Sequence, residues 1–311
     1  MTEPCIFIHG IDEAGYGPLL GPLVVARADF VVAKADTELE LCSGSPLRIA
    51  DSKKIIKSGR GFAQLEATVL GLAAHLRGQE VSSVRGWLEF DGDSDRSGAL
   101  AEAPWYDLDS LSLPLAAKAS AIGDARRAFA DGFVFRNGTV TGMRLRVFPE
   151  RRFNLSLEET ENKHETLFQE VASLLDEVLP RAGCARVTID KLGGRTFYAD
   201  KLSASFPFRP LEILNQSKEE SRYRMELNDS APTLRFWMKG DDRALEVALA
   251  SMLAKYTREI LMAVFNEYWC RRIPGLKRTA GYYQDGRRFL ADLSASGKVS
   301  SIEIDQLTRR R

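Results

Sequence analysis

Acidic side chains stand at three separated points of the sequence, and each point follows a run of residues typical of a buried strand. The acidic residues are Asp12 with Glu13, Asp190, and Asp241 with Asp242. Carboxylates that converge in a confined site repel one another, so they stay ionised together only when cations neutralise them. Oxygen ligands of this kind suit Mg²⁺ or Mn²⁺. If the three segments meet, the sequence predicts a divalent-metal site.

Phosphoryl transfer is the chemistry that such a site supports. Two divalent ions roughly 4 Å apart can activate a water molecule and stabilise the leaving oxygen, which is the usual work of nucleases and polymerases. The predicted reaction is therefore phosphodiester hydrolysis. Each acidic segment also has a plain structural explanation: a solvated turn at Asp12 and Glu13, loop hydrogen bonds at Asp190, and a helix cap at Asp241 or Asp242. Composition and spacing leave both explanations open.

Strands and helices alternate along the chain, and they must position these carboxylates. Residues 5–11 and 22–30 indicate two buried strands joined by a glycine-rich turn, which predicts a hairpin at the start of a sheet. The patterns predict further strands over 143–147, 186–189 and 234–238, helices over 62–76 and 165–179, and a long helix directly after the last strand. Residues 89–110 are acidic and loop-like, so we expect a surface excursion or a family-specific insertion there. The alternation predicts an α/β sheet with helices packed on it.

The composition is that of an ordinary soluble protein. The chain has 311 residues, of which 44% are hydrophobic, so it can bury one large core, alone or with a smaller unit. Basic and acidic residues number 43 each, so any nucleic-acid surface must be local. The cysteines lack a metal-ligand spacing, which favours reduced thiols and a cytoplasmic location. No signal peptide and no run near the roughly 20 apolar residues of a membrane span is found, so no membrane partner is expected.

Several motifs, in order along the chain, resemble those of the type 2 ribonucleases H. They are "GIDEAGYGPLLGP" at 10–22, "ADSKKI" at 50–55, "TID" at 188–190, "KGDDRALEVALASMLAKYTRE" at 239–259 and "TAGYYQDGRRFL" at 279–290. The resemblance implies the ribonuclease H-like fold, a mixed five-stranded sheet flanked by helices. It also implies a catalytic domain over 1–270, with insertions near 86–115 and 205–232, and a substrate-contacting C-terminal segment over 271–311. We expect the second insertion to decorate an edge of the sheet.

By this resemblance Asp12, Glu13, Asp190 and Asp241 are the catalytic set, and they hold Mg²⁺ or Mn²⁺ in a two-metal site. Asp241 is preferred over Asp242 because it follows the Lys-Gly pair of the family motif. The implied reaction is hydrolysis of the RNA strand of an RNA/DNA hybrid, or at ribonucleotides within DNA, leaving a 3′-hydroxyl and a 5′-phosphate. No obligate protein partner is implied.

The resemblance also implies how the nucleic acid is held. In the family, main-chain groups of a Gly-Arg-Gly segment meet the ribose 2′-hydroxyl, a lysine touches backbone phosphate and a tyrosine stacks on the substrate sugar. Position 16 is tyrosine where the family has arginine, and a tyrosine cannot make the bidentate phosphate contact of a guanidinium. Arg195 is a candidate replacement cation. The residues implied to contact nucleic acid are Gly15, Tyr16, Gly17, Ser52, Lys53 and Tyr282.

Two other functions remain compatible with these residues. One is a metal-dependent nuclease of the same fold that acts on DNA or branched structures, and the other is a non-catalytic nucleic-acid-binding module. The segment "DGDSDRSGALAE" at 91–102 matches the acidic positions of an EF-hand calcium loop, but Arg96 stands where that loop needs glycine, so calcium is disfavoured. His164 in "HETLF" lacks the second histidine of a zinc protease motif, and we expect it on a helix surface.

Overall fold

A computed structural model describes residues 6–56, 61–90, 95–160, 162–226 and 230–310, with the side chains of residues 95–97 left out. Within these ranges the strands are β1 (Ile6–Ala14), β2 (Leu23–Val32), β3 (Gly138–Phe148), β4 (Cys184–Asp190), β5 (Leu211–Gln216), β6 (Glu220–Met225) and β7 (Thr233–Trp237). The helices are α1 (Ser52–Ile56), α2 (Gly61–Arg77), α3 (Val84–Leu88), α4 (Asp95–Ala101), α5 (Ala119–Ala130), α6 (Glu150–Thr160), α7 (Lys163–Val178), α8 (Ala199–Ser205), α9 (Gly240–Arg243), α10 (Leu245–Arg272), α11 (Tyr283–Ala295) and α12 (Ser301–Leu307).

The strands form one mixed sheet in the order β3-β2-β1-β4-β7-β6-β5. The predicted hairpin is confirmed, because β1 and β2 pair antiparallel, whereas β1–β4 and β4–β7 pair parallel. A mixed α/β sheet flanked by helices is thus confirmed, but five strands was wrong, since the described residues form seven. The two additional strands, β5 and β6, lie within the predicted insertion over 205–232 and lengthen the sheet beside β7. Both strands lie at an edge of the sheet, and their origin as an insertion stays a prediction.

The expected surface excursion over 89–110 was wrong for its second half. Helix α4 occupies part of it, and apolar residues that follow, among them Trp105, Tyr106 and Leu108, are buried in the main core. Local acidic composition hid this packing, because the aromatic residues find their partners in distant parts of the chain. The acidic start of the calcium-loop pattern, 91–94, lies outside the described residues.

Helix α10 is the central helix of the molecule. It has 28 residues, is buried around most of its circumference and packs against β1 and β2 on one side of the sheet. Gly10 permits this contact, because a Cβ atom there would lie 2.1 Å from the carbonyl carbon of Glu246 in the first turn of α10. The prediction that the long helix begins directly after β7 was wrong. The short helix α9 comes first, and the backbone is extended at Ala244 before α10 begins.

The two faces of the sheet carry separate hydrophobic clusters. One cluster joins α2, α5 and α10 with Phe289 and Leu293 of α11 and Leu307 of α12, so the C-terminal helices pack on the main core. The other joins the sheet to α7 and α8. Among the described residues no helix has the length and apolar character needed to cross a bilayer.

Candidate metal centre and nucleic-acid pocket

Three of the predicted carboxylates lie close together where β1 and β4 end. One oxygen atom of each of Asp12, Glu13 and Asp190 lies within 4.8 Å of the others. The grouping follows from topology, because β1 and β4 are adjacent parallel strands and their C-terminal ends meet. A divalent ion that lies about 2.0–2.6 Å from its oxygen ligands holds them no more than about 5 Å apart. The three oxygens are therefore spaced for one cation.

Asp241 lines the same pocket from the other side of β4. It belongs to α9, and this helix is tied to β4 because the Gly240 amide donates a 2.7 Å hydrogen bond to the Asp190 carboxylate. Its neighbour Asp242 forms an ion pair with Lys54 instead. The short helix therefore directs two consecutive carboxylates to different partners: Asp241 lines the pocket, and Asp242 pairs with Lys54.

Burial and repulsion from neighbouring carboxylates raise the pKa of all four carboxyl groups. Burial, followed by the charge of Asp190, raises the pKa of Glu13 to about 7 and that of Asp241 to about 6. Burial, then Glu13 and Asp190, raises the pKa of Asp12 well above its usual range, and burial also raises the pKa of Asp190. One carboxylate oxygen of Glu13 is buried with no hydrogen-bond partner among the described residues. A cluster with such strained charges fits a divalent cation, which would neutralise it.

A fifth carboxylate, Asp51, lies near the cluster, and the sequence reasoning did not select it. Its side chain accepts a 2.8 Å hydrogen bond from the Lys53 amide at the start of α1, and it helps to raise the pKa of Asp190 and Asp241. Partial burial acts to lower the pKa of Lys53, but the carboxylates of Asp241 and Asp51 outweigh burial and raise it. The signal was present, since Asp51 immediately precedes Ser52 and Lys53 in "ADSKKI".

The acidic cluster lies at the wall of a pocket of about 210 Å³. The same pocket is lined by three residues of α10 that the sequence reasoning missed, Ser251, Lys255 and Arg258. Their spacing of three and four residues puts them on one face of the helix. All residues predicted to contact nucleic acid also line it: Gly15, Tyr16, Gly17, Ser52, Lys53 and Tyr282.

The turn after β1 carries the predicted Gly-Tyr-Gly segment. Gly15 has a φ of +93°, and a Cβ atom there would lie 2.5 Å from the Pro22 carbonyl oxygen, so this position requires glycine. Around Gly17 nothing among the described residues lies within 4 Å of where a Cβ atom would be. A ligand can therefore approach the backbone at Gly17 without obstruction.

The Tyr16 ring packs against His164, with 5.6 Å between ring centroids. His164 lies at the start of α7 and is partly exposed, as expected of a helix-surface residue, although its Nδ1 atom is buried. Burial, and then the positive charge of Arg195, lower the pKa of His164. Arg195 thus lies near the ring that supports Tyr16, and its role as a replacement cation stays a prediction.

Tyr282 reaches the pocket from the C-terminal segment. Its side chain is 53% exposed, and the Arg258 guanidinium lies 5.7 Å from the ring centroid. The preceding Gly281 accepts hydrogen bonds of 2.8 and 3.1 Å from the amides of Leu19 and Leu20. These bonds fasten the C-terminal segment to the turn after β1.

Comparison with known proteins finds relatives in the class that the motifs resemble, the type 2 ribonucleases H. No family model matches the sequence. Over 69 residues the chain is 42% identical to a ribonuclease H2 subunit of Homo sapiens, and the match covers 21% of this chain and 20% of that protein. The chain therefore matches about a fifth of the length of this curated relative. This match bears out the resemblance: the chain is similar to the type 2 ribonucleases H.

Solved structures of the same class are similar over most of the chain. Ribonuclease HII in a PCNA:RNase HII complex from Archaeoglobus fulgidus is 15% identical, with a TM-score of 0.44 over 98% of this chain and 95% of that one. Ribonuclease H2 from Pyrococcus horikoshii OT3 is 14% identical, with a TM-score of 0.43 over 98% and 93%. Bst-RNase HIII in complex with Mn²⁺ is 15% identical, with a TM-score of 0.42 over 99% and 67%.

Proposed function

We propose that the protein is a metal-dependent endonuclease that hydrolyses the RNA strand of RNA/DNA hybrids, or ribonucleotides within DNA. Its products would carry 3′-hydroxyl and 5′-phosphate ends. The observation that carries the proposal is the pocket in which Asp12, Glu13 and Asp190 lie within 4.8 Å of one another beside Asp241, all with raised pKa values. The similarity to the human ribonuclease H2 protein supports the substrate class.

The proposed cofactor is Mg²⁺ or Mn²⁺ in a two-metal site. Asp12, Glu13, Asp190 and Asp241 would hold the ions, because carboxylate oxygens are their preferred protein ligands. Ions bound there would supply an activated water and neutralise charge on the phosphate oxygens. The chain itself fixes the orientation of two ligands, since the Glu13 amide donates a 2.8 Å hydrogen bond to Asp12 and the Gly240 amide holds Asp190.

The remaining pocket residues would bind the substrate. Lys53, the cation among the carboxylates, would contact a backbone phosphate together with Ser52. The open backbone at Gly17 would face the ribose, and the half-exposed ring of Tyr282 would stack on a sugar. This role of Tyr282 supports the division into a catalytic domain over 1–270 and a substrate-contacting segment over 271–311. A cytoplasmic location is also proposed, supported by three described cysteines that are free thiols.

A substrate panel tests this function. The purified protein is incubated with an RNA/DNA hybrid, a duplex that contains one ribonucleotide and an all-DNA duplex of the same sequence, each with Mg²⁺, Mn²⁺ or EDTA. We expect metal-dependent cleavage of the first two substrates, with the 3′-hydroxyl identified by end labelling. Asp12→Asn is expected to lower kcat at least about 100-fold, since removal of a ligand charge costs several kcal/mol of transition-state stabilisation.

Asp242→Asn is the matched control, because Asp242 follows the candidate ligand Asp241 in sequence but pairs with Lys54. It is expected to keep nearly full activity. Equal cleavage of all-DNA duplex would favour the DNA nuclease instead. Hybrid binding with no cleavage in either metal would favour the non-catalytic module.

A further inference from the structure

Arg309, close to the end of the chain, reaches beneath the turn that carries Gly15 and Tyr16. Its side chain is 1% exposed. One guanidinium nitrogen donates a hydrogen bond to the Gly15 carbonyl, and the other donates a 3.3 Å hydrogen bond to the Tyr16 carbonyl. The guanidinium carbon lies 3.9 Å from the centroid of the Phe153 ring, which supports it from below. Two consecutive carbonyls of the turn are thus held by one buried cation.

The backbone around Arg309 is itself anchored at several points. The Arg309 amide donates a 2.9 Å hydrogen bond to the Leu19 carbonyl. On α6, the Asn154 side chain donates to the Thr308 carbonyl at 2.9 Å and accepts from the Arg310 amide at 2.8 Å. Residues 308–310 therefore form a fixed strap between α6 and the turn, and Arg309 extends from a defined position.

Peptide geometry converts this contact into an orientation of hydrogen-bond donors. In a planar trans peptide the C=O and N–H groups point in opposite directions. Because the Gly15 and Tyr16 carbonyls point to the buried guanidinium, the amides of Tyr16 and Gly17 point away from it, toward the side where these residues line the acidic pocket. No residue in the described ranges accepts a hydrogen bond from either amide. A cation on the carbonyls also polarises the peptides and strengthens the amides as donors.

The guanidinium keeps its charge under assay conditions. Burial, and then the nearby Arg258, lower the pKa of Arg309 to about 10, which is still well above neutral pH. Family resemblance assigns an arginine to position 16, where this chain has tyrosine. Arg309 supplies a guanidinium to the same turn, but from the buried side and to the main chain.

We propose that Arg309 is a positioning residue for substrate selection: it fixes the peptide groups of residues 15–17 so that the Tyr16 and Gly17 amides donate to the 2′-hydroxyl oxygen of the RNA strand. This inference rests on the proposed function. Its consequence is that Arg309 governs the preference for RNA/DNA hybrid over DNA, although it touches no substrate atom.

The test measures binding selectivity in an Asp12→Asn background, in which we expect cleavage to be slowed at least about 100-fold. Dissociation constants for a hybrid and for a DNA duplex of the same sequence are measured for the Asp12→Asn protein itself. They are then measured for the same protein with Arg309→Met, Arg309→Lys or Arg310→Met added. Methionine keeps an apolar stem and removes the donors, whereas lysine keeps the charge but cannot reach both carbonyls with a planar fork. Arg310 is the matched control, since it lies in the same strap but pairs with Glu158 on the surface.

We expect Arg309→Met to lower the ratio of the DNA to the hybrid dissociation constant about tenfold, the effect of one lost hydrogen bond. Arg309→Lys should give an intermediate ratio, and Arg310→Met should leave it unchanged. If Arg309 acted on stability alone, its substitution would lower the folded fraction of the protein without changing the ratio of dissociation constants. Thermal unfolding of each variant measures the folded fraction at the assay temperature.

The outcomes separate the two proposals. If the unsubstituted chain cuts hybrid but Arg309→Met and Arg309→Lys keep its binding ratio within twofold, the inference about Arg309 is overturned and the proposed function stands. If the unsubstituted chain cuts neither ribonucleotide substrate and binds hybrid and DNA alike, both are overturned.

Discussion

Glu13→Gln is expected to stabilise the metal-free protein at pH 8 and to remove most of its stabilisation by divalent metal. Burial and the adjacent Asp190 raise the pKa of Glu13 from 4.5 to about 7. A carboxyl whose pKa is higher in the folded state than in the unfolded state binds protons more tightly when folded. Its ionisation therefore destabilises the fold. The destabilisation is absent below pH 4.5, grows between pH 4.5 and 7, and is complete above pH 7.

The size of the effect follows from the two pKa values. One pKa unit corresponds to 1.36 kcal/mol, so the rise from 4.5 to about 7 corresponds to about 3 kcal/mol. Gln has nearly the same shape and no charge, so it removes this cost and also relieves the repulsion that acts on Asp12. The free energy of unfolding at pH 8 in EDTA should rise by up to about 3 kcal/mol.

Urea denaturation at pH 4.5 and pH 8, with EDTA or with saturating Mn²⁺, measures this effect. Metal at a hundred times its dissociation constant should stabilise the unsubstituted chain by about 2.7 kcal/mol, and Glu13→Gln should gain much less. Glu80 is exposed in the segment that follows α2, so Glu80→Gln is the control. It should change the free energy of unfolding little at either pH. If Glu13→Gln is less stable than the unsubstituted chain in EDTA at pH 8, the argument from buried charge is refuted.

Three further substitutions test separate parts of the structure. Gly10→Ala should lower the free energy of unfolding by about 2 kcal/mol or more, because its Cβ atom would lie 2.1 Å from the backbone of α10. Gly17→Ala, with open space around the new Cβ atom, should not lower it, and equal urea midpoints for the two variants would contradict this argument. Lys53→Met should weaken hybrid binding and reduce the slope of log affinity against log salt by about 1, and an unchanged slope would exclude a phosphate contact. Tyr282→Ala should weaken hybrid binding by about 1 kcal/mol or more. The adjacent Tyr283 is also partly exposed, and Tyr283→Ala should have a smaller effect, so equal losses of binding free energy would argue against specific stacking by Tyr282.

Local pattern was sufficient for the elements that carry the first carboxylates. The apolar runs at 5–11 and 22–30 predict β1 and β2, because both strands are buried and their side chains need no polar alternation. It was insufficient for the region after 89. Trp105 and Tyr106 are buried there by contacts with distant aromatic residues, Trp269 and Phe265, and no local window contains those contacts.

The site was predictable as a set of residues but not as a geometry. Topology brings Asp12 and Asp190 together, and only the pairing of β1 with β4 decides that they meet. Arg309 could not have been selected, because nothing in a C-terminal run of arginines distinguishes the one that is buried beneath a turn almost three hundred residues earlier. The position of Asp51 was available from its motif, but its effect on Asp190 and Asp241 depends on the same convergence.

Two unfavourable features of this structure lie together at the C-terminal ends of the parallel strands β1, β4 and β7. Besides the repelling carboxylates, Lys239 just before α9 has a φ of +57°, and it is the one non-glycine residue with a positive φ among those described. This backbone geometry costs on the order of 1 kcal/mol or more, and it turns the chain so that the Gly240 amide reaches Asp190 while Asp241 enters the pocket. Such costs persist only where the surrounding structure is strong enough to hold them, and here the buried helix α10 begins immediately afterwards. A chain selected for stability alone would not combine a left-handed lysine with four adjacent carboxylates, two of them buried and two partly buried, so their coincidence at one pocket is itself an argument that the pocket binds a cation.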